Sequence, residues 1–125
     1  MTGATLDAGA LIAFERNDRV VVSMVRRAID MGDVLAVPAG VIGQVWRDGR
    51  RQARLARLLA SATCEVVTLD ERRARAAGQL CGAAGTADVV DASVVLCARE
   101  RGHHVLTSDS DDLHRLDPNL PLVLI

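Results

Sequence analysis

Five short apolar runs, separated by longer stretches with helical spacing, constrain this chain more than any other feature. Residues 4–6, 34–37, 65–69, 104–107 and 122–125 are strand-length and rich in leucine or β-branched residues. Between them, residues 8–31, 39–61, 70–84, 88–101 and 110–116 are long enough for helices. The first two of these are expected to break, one near Asn17 and Asp18 and the other near Asp48 and Gly49. Strands alternating with helices predict the α/β class. The expected form is a three-layer α/β/α sandwich around a central, mainly parallel sheet of about five short strands, the last at an edge. The whole chain, residues 1–125, suits a single domain.

In a parallel sheet, ligands bind beyond the carboxyl ends of the strands, near the point where strand order reverses. Aspartates collect at positions that belong to that rim. Asp7 directly follows the first strand, and Asp109 follows the fourth by two residues, leading into Asp111 and Asp112. Asp88 and Asp91 open the helix at 88–101, three residues apart and therefore on one face. Asp91 stands among Val90, Ala92, Val94 and Val95, surroundings in which an unpaired carboxylate is costly.

Helix capping is the competing explanation. Aspartate is a favoured N-cap, and a second acid three residues later sits well against the helix dipole. Taken singly, each acid is accounted for this way. Capping, however, needs one acid per helix, whereas this rim collects acids from three separate segments. A hard cation such as Mg²⁺ or Mn²⁺ relieves their mutual repulsion and leaves room for a phosphate. A divalent ion so held can lower the pKa of a bound water and offset charge during phosphodiester hydrolysis.

Other chemistries fit less well. All fifteen basic residues are arginine, which argues against nucleotide-binding loops and phospho-receivers that depend on a lysine beside the phosphate. There is no G-x-S-x-G elbow, so acyl transfer lacks support. Cys64, Cys81 and Cys97 are far apart and unpaired in spacing, which suits small core residues in a reducing compartment rather than a zinc site. No apolar run approaches a spanning helix and no basic leader precedes the first apolar stretch, so a cytoplasmic location is expected. Phe14 and Trp46 are the only aromatics, leaving no platform for stacking successive bases.

Four blocks, in order, carry a family resemblance: TLDAGALIA at 5–13, VPAGVIGQVWRDG at 37–49, ADVVDASVVLCARERG at 87–102 and VLTSDSDDLHRL at 105–116. Together they resemble the PIN domain, and within it the VapC-type toxins of bacterial toxin-antitoxin pairs. The resemblance implies a small ribonuclease that cuts RNA with Mg²⁺ or Mn²⁺, is blocked by a cognate antitoxin and forms a homodimer. Position by position, it makes Asp7, Asp91 and Asp109 the catalytic metal ligands, with Asp112 and Asp88 as further ligands and Thr107 as a supporting hydroxyl. Gln44 stands where the family usually has glutamate. That neutral amide leaves open a weakened, RNA- or antitoxin-binding member. Arg47, Arg51 and Arg54 are expected along one helical face, as a wall that grips RNA phosphates or faces a partner.

Overall fold

The computed structural model describes residues 3–125. Its strands are β1 (Gly3–Leu6), β2 (Val34–Pro38), β3 (Cys64–Val67), β4 (His104–Thr107) and β5 (Leu122–Leu124). They form one sheet in the order β3-β2-β1-β4-β5, and every neighbouring pair is parallel. The expected sandwich is present, with β3 and β5 at its edges. Strand order reverses at β1. The chain moves outward through β2 and β3, then returns to the opposite side of β1 for β4, so the crevice between β1 and β4 is the switch point.

Right-handed crossovers place the helices on both faces. Helices α1 (Ala8–Glu15), α2 (Arg19–Met31) and α4 (Ala53–Ala60) cover one face, while α5 (Glu71–Ala84), α6 (Val89–Arg101) and α7 (Ser110–Leu116) cover the other. Helix α3 (Ala39–Val45) starts immediately after β2 at the carboxyl rim and touches both α1 and α6. Leu6, Leu11, Val37, Val94, Val95 and Val105 are among the fully buried side chains between the layers. This explains the consecutive buried residues of β1, β2 and β4, since a strand covered on both faces shows no alternation. Among the described residues, no single helix is long and apolar enough to cross a membrane.

Residues 8–31 do split at 16–18. Asn17 adopts a left-handed φ of 63°, and the Asp18 carboxylate caps α2 by accepting from Val20 and Val21 N–H at 3.0 and 3.1 Å. Glycines 32, 85 and 102 close α2, α5 and α6 in the left-handed conformation. β3 is displaced from its expected 65–69 to Cys64–Val67. Thr68 and Leu69 leave the sheet because Asp70 caps α5, accepting from Arg73 N–H at 2.8 Å.

The break in residues 39–61 is wider than expected, covering 46–52. The buried amide of Gln52 holds it open. Its Oε1 accepts from Arg47 and Asp48 N–H at 2.8 and 2.9 Å, and its Nε2 donates to the Val45 carbonyl and the Glu15 carboxylate, both at 2.9 Å. Arg47 and Arg51 therefore do not lie on a helix with Arg54, which corrects the single basic face expected from their spacing. Arg47 donates to the Gly43 and Trp46 carbonyls at the end of α3, and Arg51 lies 3.7 Å from Asp48. Arg54, on α4, instead lines a groove with Arg26 and Arg57.

Candidate active site

Asp7 and Asp109 flank the β1/β4 crevice, at the rim where parallel strand direction requires them. Asp7 is buried at 7% exposure and serves as the N-cap of α1, its Oδ1 accepting from Ala10 N–H at 2.9 Å. Burial raises its pKa above the ordinary carboxylate value. A hydrogen bond from the Thr107 hydroxyl and the Ala10 N–H oppose that shift, and the nearby negative charge of Asp109 adds to it.

Thr107 connects the two acids. It is the fully buried last residue of β4, and its Oγ1 accepts from Asp109 N–H at 2.8 Å while its hydroxyl proton is available to Asp7. Thr107→Val keeps the shape and removes both interactions. It should lower stability by about 1–2 kcal/mol, measured by urea unfolding, and weaken divalent-ion binding by about ten- to a hundredfold, measured by calorimetry.

The remaining acids come from α6 and α7. Asp88 caps α6, its Oδ1 accepting from Asp91 N–H at 2.9 Å, so capping accounts for Asp7 and Asp88. It does not account for Asp91 or Asp109. Asp109 stands at the N-cap position of α7 without a side-chain capping bond. Asp91 is half-buried and its pKa is pushed up to about 7, first by desolvation and then by the negative charges of Asp88, Asp112 and Asp109. Asp112 is exposed, and its pKa is raised chiefly by a shared hydrogen bond with Asp109 and by that residue's charge.

Asp88, Asp91, Asp109 and Asp112 thus act on one another electrostatically and Asp109 links them to Asp7, the five being drawn from the end of β1, α6 and the β4–α7 junction. Asp111 is exposed. Gln44 is exposed on α3, one helical turn from Gly40. A Cβ at Gly40 would lie 3.2 Å from Val90, so that end of α3 rests on the first turn of α6.

The donors are carboxylates and a hydroxyl, with no thiolate or imidazole among them, which is the set a hard cation prefers. Carboxylates whose pKa values rise through crowding also fit a dication, because its charge removes the repulsion. Among the described residues, no three of these side chains are arranged around one point. Sequence reasoning missed Gln52 and Ser108. A Cβ at Gly9 would fall 2.2 Å from Ser108 Oγ, so the glycine two residues after Asp7 admits the loop that carries Asp109.

The PIN domain family model matches residues 4–118. Among solved structures, VapBC2 from Rickettsia felis, bound to a DNA fragment from its promoter, has a TM-score of 0.73 at 14% identity and covers 98% of each chain. A toxin-antitoxin complex from Klebsiella pneumoniae gives 0.68 at 16% identity, over 96% of this chain and 95% of the other. FitAcB from Neisseria gonorrhoeae gives 0.63 at 15% identity, over 95% of each. No curated protein sequence matches the chain. At such identities the solved structures establish a shared fold, and the family model, spanning nearly all of β1 to α7, establishes descent: the chain belongs to the PIN domain family.

Proposed function

We propose that residues 1–125 form a single nuclease domain that cuts RNA endonucleolytically with Mg²⁺ or Mn²⁺ and serves as the VapC-type toxin of a toxin-antitoxin pair. The observation that carries this reading is the set of aspartates at the β1/β4 crevice of a PIN fold, in which Asp91 faces the charges of Asp88, Asp109 and Asp112, and Asp7 faces that of Asp109. Asp7, Asp91 and Asp109 would hold the cation, with Asp88 and Asp112 as further carboxylate donors. A dication bound there supplies the Lewis acidity and the lowered water pKa that phosphodiester hydrolysis requires. The chain's own residues orient the site. Thr107 fixes Asp7 relative to the Asp109 backbone, and the first turn of α6 presents Asp91 beside Asp88.

A cognate antitoxin, a homodimer and a cytoplasmic location complete the proposal. The antitoxin is supported by the solved toxin-antitoxin complexes that share this fold, whereas the homodimer and the location rest on the family resemblance alone. Gln44 supports a second reading, in which the site is too weak for catalysis and the chain only binds RNA or antitoxin. Its exposed amide brings no charge to the crevice. One experiment separates the two. Purified protein incubated with structured RNA, DNA and small phosphate esters should cut RNA alone, only with Mn²⁺ or Mg²⁺, and stop on chelation. A folded protein that binds RNA yet leaves it intact at millimolar Mn²⁺ would establish the non-catalytic reading. Cleavage of small esters in preference to RNA would replace both.

A further inference from the structure

The loop between α3 and α4 faces water almost entirely. Of residues 43–51 only Val45 is buried, and Trp46, at 37% exposure, is the one large apolar side chain exposed among them. It is also the only tryptophan in the chain. A lone exposed apolar residue needs no explanation by itself, but the setting of this one is rigid and positive.

Trp46 N–H donates to the Ile42 carbonyl at 2.8 Å, the Gln52 amide fixes the N–H groups of Arg47 and Asp48, and the Asp48 carboxylate accepts from Arg50 N–H at 3.0 Å. Gly49 closes the loop against the outer edge of the indole, where a Cβ would lie 3.0 Å from Cζ2. Around the ring, Arg47, Arg50 and Arg51 set three positive charges against the single negative one of Asp48, and all four side chains are exposed. Arg47 uses Nη1 on the Gly43 and Trp46 carbonyls, while Arg51 meets Asp48 only at 3.7 Å, with its side chain 89% exposed. The loop is also near the acids. Gly40, in the first turn of α3, rests on Val90 beside Asp91. Trp46 follows six positions later, about 9 Å further along the helix, a span that about three stacked nucleotides cover at roughly 3.4 Å each.

We propose that this loop holds single-stranded RNA beside the crevice by stacking one base on the Trp46 indole, with Arg47, Arg50 and Arg51 on the flanking phosphates. The contact presupposes the ribonuclease reading and adds to it the side chain that grips a base. A protein partner fits less well, because the centre of a protein interface gathers several apolar side chains and sheds charge, whereas here one indole stands among arginines. Every base has a π face, so the grip should be tolerant of sequence.

Because Trp46 is the only tryptophan, its fluorescence reports the contact directly. In EDTA, which prevents metal-dependent cleavage, a short unstructured RNA should quench it saturably, and an abasic strand of equal length should leave the emission nearly unchanged. Anisotropy of end-labelled RNA should show binding weakened about tenfold or more in Trp46→Ala and much less in Trp46→Phe, with both variants keeping the wild-type circular dichroism. Arg50→Gln and Arg51→Gln should each lower the slope of log affinity against log salt by about 0.7. No saturable quenching, or equal quenching by RNA and the abasic strand, overturns the proposal. Equal RNA affinity in wild type and Trp46→Ala overturns it too and leaves the indole to a protein contact. RNA cleavage that persists beside any of these results removes the stacking alone; base-dependent quenching in a protein that leaves RNA intact in Mn²⁺ removes the nuclease reading and keeps the stacking.

Discussion

Asp91→Asn should lower metal-dependent RNA cleavage by about a thousandfold, the equivalent of roughly 4 kcal/mol of transition-state stabilisation, and should at the same time make the metal-free protein more stable. The two effects share one cause. Crowding by Asp88, Asp112 and Asp109 on top of burial pushes the Asp91 pKa up from 3.8 to about 7. Between those values the folded state binds more protons than the unfolded one, so stability falls as pH rises. The favourable contribution is complete below pH 3.8, declines through the folded value of about 7 and stays lost above it. Asparagine is neutral throughout and escapes that decline. At pH 8 the variant should gain about 1–2 kcal/mol, an amount reduced from the full linkage value because half of the carboxyl group remains near water. That corresponds to roughly 3–6 °C in Tm.

Scanning calorimetry from pH 4 to pH 8 checks the sign: the variant's advantage should vanish at the acid end. Mg²⁺ should raise the wild-type Tm at pH 8 and leave the variant nearly unmoved, since an ion that binds only the folded state stabilises it. A variant that retains full cleavage, or that is less stable than wild type at pH 8, would remove Asp91 from the proposed site.

The acids were legible in the sequence because parallel sheet direction is a strong constraint. Once β1 and β4 are recognised as parallel neighbours, Asp7 and Asp109 must stand on the same rim, whatever the helices do. Asp88 and Asp91 follow from helical spacing and from the odd placement of a carboxylate among valines. The sequence could not divide the labour among them. Asp7 and Asp88 each cap a helix as well as facing the cluster, whereas Asp109, the obvious cap of α7, makes no capping bond. Whether a side chain turns back to its own helix depends on what else surrounds it, and the Asp109 carboxyl instead shares a hydrogen bond with the Asp112 side chain.

The arginines were misread for a related reason. Residues 47, 51 and 54 have helical spacing, but a periodic pattern is silent about a buried amide that reroutes the backbone. Helix α2 is apolar on more than its buried side: Val21 and Val25 are buried, while Val20 and Ile29 are 57% and 46% exposed. That helix covers one side of a three-layer fold, and its shoulders stay in water.

Gln52 is where this limit has its largest consequence for stability. Its side chain is 6% exposed, and all four hydrogen-bonding positions of the amide are used, two as acceptor and two as donor. Gln52→Ala would leave two backbone N–H groups, a backbone carbonyl and the Glu15 carboxylate without that partner. Each buried polar group left unpaired costs about 1–3 kcal/mol, but water entering the opened loop recovers part of it. The expected loss is about 3 kcal/mol, or roughly 10 °C in Tm. Gln52→Glu should be at least as damaging: a carboxylate cannot donate to Val45, and it stands against Glu15. Pairing that change with Glu15→Gln restores one donor and one acceptor across the same gap. The double variant should therefore recover at least about 1 kcal/mol over the sum of the single changes, measured by chemical unfolding. Additive losses would mean that the Glu15 contact is incidental and that the Gln52 bonds to the 45–48 backbone alone hold the loop between α3 and α4.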